Sequence, residues 1–147
     1  MIRRNLALLG VLLVSASVFA MPLMYRAQTV ISIPQSAEDV ALSGLSYKAN
    51  AFEAKLVSVK FEPAGATDAN PVKGKWTFHG SNNDGQMHKV EIWLRLLDES
   101  GTQLAMTSGK CTLPPGAHDQ PCPIDTEIKA ETWKSVKSVR IVADFLS

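Results

Sequence analysis

The stretches Val72-Lys73-Gly74-Lys75-Trp76-Thr77-Phe78-His79 and Lys89-Val90-Glu91-Ile92-Trp93-Leu94-Arg95-Leu96 share a period of two. That period sends successive side chains to opposite faces of an extended chain, so each stretch reads as a strand with one face in a core. Val72, Gly74, Trp76 and Phe78 make one inward face, and Val90, Ile92, Leu94 and Leu96 another. Working outward, Val57, Val59 and Phe61 alternate with Ser58, Lys60 and Glu62. Ile124, Thr126 and Ile128, then Val139, Ile141, Ala143 and Phe145, repeat the pattern, and Leu104 with Met106 on a core face adds a weaker strand. Between the last two strands, Ala130 to Val136 is rich in helix formers, and Trp133 and Val136 are spaced to share one face of a helical turn that plugs an end of the core. Short strands separated by turn signals predict an all-β fold: an antiparallel immunoglobulin-like β-sandwich with one short helical turn.

Turn chemistry extends the reading to register. Asp98-Glu99-Ser100-Gly101-Thr102 fits a three-residue hairpin loop with Gly101 left-handed, which sets Asp98 opposite Thr102 and Leu96 opposite Leu104. Treated as a hairpin, the preceding pair of strands has two registers. One sets Lys75 against Glu91 and Lys73 against Trp93; the other sets Lys73 against Arg95 and His79 against Lys89. Opposite charges and cation-aromatic neighbours favour the first.

The amino terminus has the form of a secretory signal peptide over residues 1–20. Arg3 and Arg4 precede the apolar run Leu6 to Val14, and Val18-Phe19-Ala20 offers a cleavage site after Ala20. An uncleaved anchor is the alternative, because Leu6 to Met24 approaches the roughly 20 residues that span a bilayer. Only then would the protein sit in the inner membrane; otherwise it is periplasmic or secreted. Residues 21–50 are weakly patterned and read as a linker or covering segment, with Ser36-Ala37-Glu38-Asp39 in the form of a capping box for a short helix through Val40 and Leu42. Residues 51–147 are then the β-sandwich domain.

Of 15 basic and 14 acidic residues, the leader carries two basic and no acidic ones, so the +1 formal charge of the 147-residue chain becomes −1 once it is removed. Such a balance argues against a nucleic-acid partner, which calls for a clear basic excess. The remaining chain suits one domain of ordinary size. Cys111 and Cys122 both lie in the exported part and predict a disulfide worth about 3 kcal/mol. The alternative is a pair of free thiols in a reducing cell.

The run Lys73 to Phe78, an Asn- and Gly-rich turn, Val90 to Leu97, Asp98-Glu99-Ser100-Gly101 and Leu113-Pro114-Pro115-Gly116 resembles bacterial extracytoplasmic β-sandwich domains of the FxLYD and related immunoglobulin-like or transthyretin-like groups. The resemblance covers about residues 52–147. It departs from the pattern at Leu97, where an aromatic is usual, and in carrying the cysteine pair. It implies the sandwich fold and an envelope location, and transfers no functional residue.

Few residues invite chemistry. His79 and His88 flank the loop Gly80 to Met87, and with Asp84 they compose a candidate Cu or Zn site, set against a plain polar turn. Ser108 and Lys110 beside Cys111 lack the held base a nucleophile needs. No cofactor is expected. Trp93 and Leu97 point away from the core face of their strand, as Val142 and Leu146 do on the last one, so either residues 21–50 cover them or they form a patch for a partner. The reading is a non-catalytic binding or assembly module at the bacterial cell envelope, contacting a protein partner through Trp93, Leu97 and Lys73. A periplasmic metal-binding protein using His79, His88 and Asp84 is the alternative.

Overall fold

The computed structural model describes residues 22–33, 39–40 and 45–147. Among them run nine strands: β1 (Leu23–Ser32), β2 (Asp39–Val40), β3 (Leu45–Ala49), β4 (Phe52–Glu62), β5 (Val72–Asn82), β6 (His88–Leu97), β7 (Gln103–Leu113), β8 (Gln120–Ile128) and β9 (Ser138–Leu146). One short helix, α1 (Ala130–Trp133), precedes β9. The leader and most of the capping-box segment lie outside the described residues. Asp39 and Val40, expected in a helix, are in a strand. Among the described residues no helix is long and apolar enough to cross a membrane.

The strands form two antiparallel sheets, as the alternation predicts. One has the order β1-β9-β6-β7 and the other β2-β4-β5-β8, with β3 pairing β4 beyond β2. The inward faces of β5, β6, β8 and β9 are those expected, with Trp76, Phe78, Leu94, Ile141 and Phe145 all but inaccessible to solvent. Trp133 and Val136 are buried as the end plug, the Trp133 ring lying 4.8 Å from that of Phe61.

The neighbours of the strands differ from expectation. β5 and β6 do not form a hairpin: the chain crosses between sheets through residues 83–87, so β5 lies between β4 and β8, and β6 between β7 and β9. Lys75 therefore faces Lys60 and Asp125, and Lys73 faces Glu62 and Glu127. Trp93 faces Ser108 and Val142 instead of Lys73. Alternation tells which face of a strand is buried and leaves its neighbour open, and acids on β8 complement the lysines as well as Glu91 would have.

Two irregularities shift the phase of strands. In β4 the register slips between Leu56 and Ser58. Ala54 and Leu56 are buried before the slip and Val59 and Phe61 after it, while Val57 turns out to solvent. In the β6–β7 hairpin, Asp98 N–H donates to the Thr102 carbonyl at 3.0 Å, and Gly101 has φ 83°, as its turn requires. An extra residue then enters β7, so Leu96 faces Ala105 and not Leu104. Met106, expected on the core face, is half-exposed on the outer one.

The described residues of the segment expected to be a linker or cover are built into both sheets. β1 pairs with β9 from Leu23 opposite Leu146 to Ser32 opposite Ser138, and β3 forms a hairpin with β4 across Asn50, whose φ is 52°. Ile33, Tyr47 and Ala49 join the core. The sandwich thus begins near residue 23. β1 escapes a hydrophobicity reading because two of its inward residues, Ala27 and Thr29, are small or partly polar and leave Ile31 as the one large apolar side chain on that face.

The sheets meet most closely between β7 and β8. A side chain on Gly109 would come within 2.5 Å of Ile124 Cγ1, and one on Gly80 within 2.6 Å of Leu113 Cδ2, so both positions receive a side chain from the opposite sheet. Here the expected disulfide forms: Cys111 of β7 is bonded to Cys122 of β8, with Cα atoms 5.7 Å apart, and ties one sheet to the other.

Candidate functional site

The outward face of the β1-β9-β6-β7 sheet is organised in rows that cross all four strands. In the first, Arg26, Asp144, Glu91 and Lys110 are successive cross-strand neighbours. Arg26 donates two hydrogen bonds to the Asp144 carboxylate, at 2.6 and 2.9 Å, and Lys110 reaches Glu91 at 3.5 Å. Both acids have their cation. The hydrogen bonds to Asp144, and then its charge, raise the pKa of Arg26.

Gln28, Val142, Trp93 and Ser108 make the second row, which is uncharged. Trp93 is partly exposed beside Val142, which is buried although it points to the outer face. A groove of about 280 Å³ runs over them, lined also by Arg26, Gln28, Arg95, Met106 and Arg140. The third row is Val30, Arg140, Arg95 and Met106, with the two arginines directly opposed.

Of the residues singled out from sequence, Trp93 lies where parity places it. Of the described amino-terminal segment, β1 extends this sheet at its edge and β2 and β3 pair with β4 in the other, so none of it lies over the face. Leu97 keeps the outward parity of its strand and stands outside the core cluster that holds Leu96, but at 3% exposure it is buried and offers no exposed contact. Its carbonyl accepts the Lys137 N–H, where the chain enters β9. Lys73 is exposed on the other sheet, between Glu62 and Glu127, so it shares no surface with Trp93.

The histidines are not brought together. His79 lies on the outward face of β5, between Lys55 and Pro121, whereas His88 is buried with its ring centroid 3.8 Å from that of Phe52. His88 Nε2 is 2.9 Å from Asp84 Oδ2. That hydrogen bond, with a second from Gly85 N–H, holds the Asp84 carboxyl below its ordinary pKa. Asn82 secures the same loop, its amide donating to the Gln86 and Leu113 carbonyls while its oxygen accepts from Asp84 N–H. Among the described residues no three His, Cys, Asp or Glu side chains gather to hold a metal ion.

Sequence reasoning missed Arg95 and Arg140. Both stand at outward parity, two residues from Trp93 and Val142 respectively, but their juxtaposition depends on β6 pairing with β9.

No family model and no curated protein matches the chain. Among solved structures it is similar to the Avr2 effector protein from the fungal plant pathogen Fusarium oxysporum, with a TM-score of 0.38 and 8% identity over 80% of this chain and 86% of that one. It is also similar to the enzymatically active domain of bacteriophage CBA120 tailspike protein 4, with a TM-score of 0.27 and 15% identity over 84% of this chain and 17% of that one. At these TM-scores neither likeness bears on function.

Proposed function

We propose that this chain is an exported, non-catalytic β-sandwich module that binds a protein partner at the bacterial cell envelope, using the outward face of the β1-β9-β6-β7 sheet. The observation that carries the reading is Trp93, a large aromatic left partly exposed in a groove at the middle of that face, beside Val142 and among arginines. Tryptophan and arginine are the residue types most enriched where interfaces concentrate their binding energy. Export is supported by the leader-like amino terminus and by the disulfide, which fits an oxidising compartment. The resemblance to FxLYD-type domains adds the envelope to the same reading.

Site-specific photo-crosslinking in cells tests it. A photoreactive residue at Ser108, next to Trp93, is expected to capture one envelope protein, and the same residue at Lys73 on the other sheet is not. Capture from Lys73 alone, or from neither position, rejects the surface. Stoichiometric Cu or Zn in the purified protein would instead favour the metal-binding alternative.

A further inference from the structure

The arginine row differs in kind from the rest of the face. Directly opposed like charges on neighbouring strands repel, yet Arg95 and Arg140 are cross-strand partners flanked only by Val30 and Met106. Two rows away every cation has a carboxylate; among the described residues neither Arg95 nor Arg140 forms an ion pair. Arg95 Nε is, in addition, buried without a hydrogen-bond partner. A buried guanidinium N–H lacking an acceptor is costly, and the cost is recovered when an anionic acceptor arrives.

Resting on the reading of this face as the contact surface, we propose that the groove recognises an acidic side chain of the partner protein, its carboxylate bridging Arg95 and Arg140. The next side chain of the partner, apolar, lies over Trp93 and Val142. The planar fork of a guanidinium matches a carboxylate in two-point geometry. Apart from Lys89, which lies opposite Leu146 and Thr112 at the far end of the face, the unpaired charge is confined to the arginine row, beside an uncharged one, and the whole chain carries only +1. A lipid surface or a nucleic acid calls for a broad basic field instead. A groove of about 280 Å³ is of a size to hold one or two side chains of a partner.

The test titrates the exported protein with the acetylated, amidated peptide Val-Glu-Val-Glu-Val while the indole signal of Trp93 and the Nε signal of Arg95 are followed by nuclear magnetic resonance. Saturable shifts of both are expected. R95Q or R140Q should weaken the binding about tenfold or more, as the loss of a charge-assisted hydrogen bond implies. Equal shifts with the peptide carrying Gln for Glu overturn the proposal, as does a titration that never saturates. Shifts produced by phosphatidylglycerol vesicles or by inorganic sulfate, with none from the peptide, overturn it in favour of a membrane or a simple anion. If R95Q and R140Q leave capture of the partner from position 108 undiminished, the surface stands and the carboxylate site falls. If the peptide binds as expected and nothing is captured there, the carboxylate site stands and the proposed surface role falls.

Discussion

Arg140 of β9 stands directly across from Arg95 of β6, and no acidic residue shares their row. The native fold therefore holds two like charges side by side, and removing one should relieve it. R140Q is expected to be more stable than the parent by a few tenths of a kcal/mol at low salt. The difference should vanish near 1 M salt, where the screening length falls to about 3 Å. Urea unfolding at both ionic strengths checks it, and a destabilised R140Q at low salt would remove the premise of repulsion.

Trp76 and Trp93 should separate cleanly. Trp76 is fully buried, donates its indole N–H to Thr126 Oγ1 at 3.3 Å, and meets Phe61 edge-on at 5.5 Å. Trp76→Ala should cost about 3–5 kcal/mol. Trp93→Ala, at a partly exposed position, should cost less than about 2 kcal/mol while abolishing partner capture. Comparable losses of stability in the two variants would make Trp93 a core residue.

Much of this was legible in the sequence, and the limits have physical causes. Alternation exposed the inward faces of β5, β6, β8 and β9 and the outward parity of Trp93, because a side chain's face depends only on its own strand. Strand neighbours depend on how the loops are routed. A five-residue connection such as 83–87 can close a hairpin or cross to the other sheet, so the supposed pairing of Lys73 with Trp93 failed. The faces of Val57 and Met106 escape the reading because single-residue slips leave no mark in composition. β1 was read as a tether because Ala27 and Thr29 give an inward face too weak to register.

Reducing the disulfide, or replacing Cys111 and Cys122 with Ser, should cost about 3 kcal/mol, the loop-closure value for cysteines 11 residues apart. Peptide mapping of unreduced protein isolated from its native cells should find the two cysteines in one linked fragment. Two free thiols in that material would contradict the bond and, with it, the oxidising location.

Asp84 supplies a signature in acid. Its folded-state pKa is depressed, chiefly by the hydrogen bond with His88. A depressed carboxylate stabilises the fold fully above its unfolded pKa of about 3.9, and that contribution is lost as pH falls through the folded value. D84N should accordingly be less stable than the parent at pH 6, with the gap narrowing below about pH 4. Urea midpoints across that range are the measurement. A gap independent of pH would mean that the ionised carboxylate contributes nothing.

Because β1 and β9 are antiparallel neighbours, with Leu23 beside Leu146 and Ile31 beside Val139, the sandwich is entered and left at the same end of the same pair of strands. Tension applied between those two points would load the β1–β9 hydrogen bonds one after another, as a zipper opens, and not all at once in shear. Pulled that way, the fold yields first at its edge, at low force, and the seam between β7 and β8 is left closed behind its covalent tie.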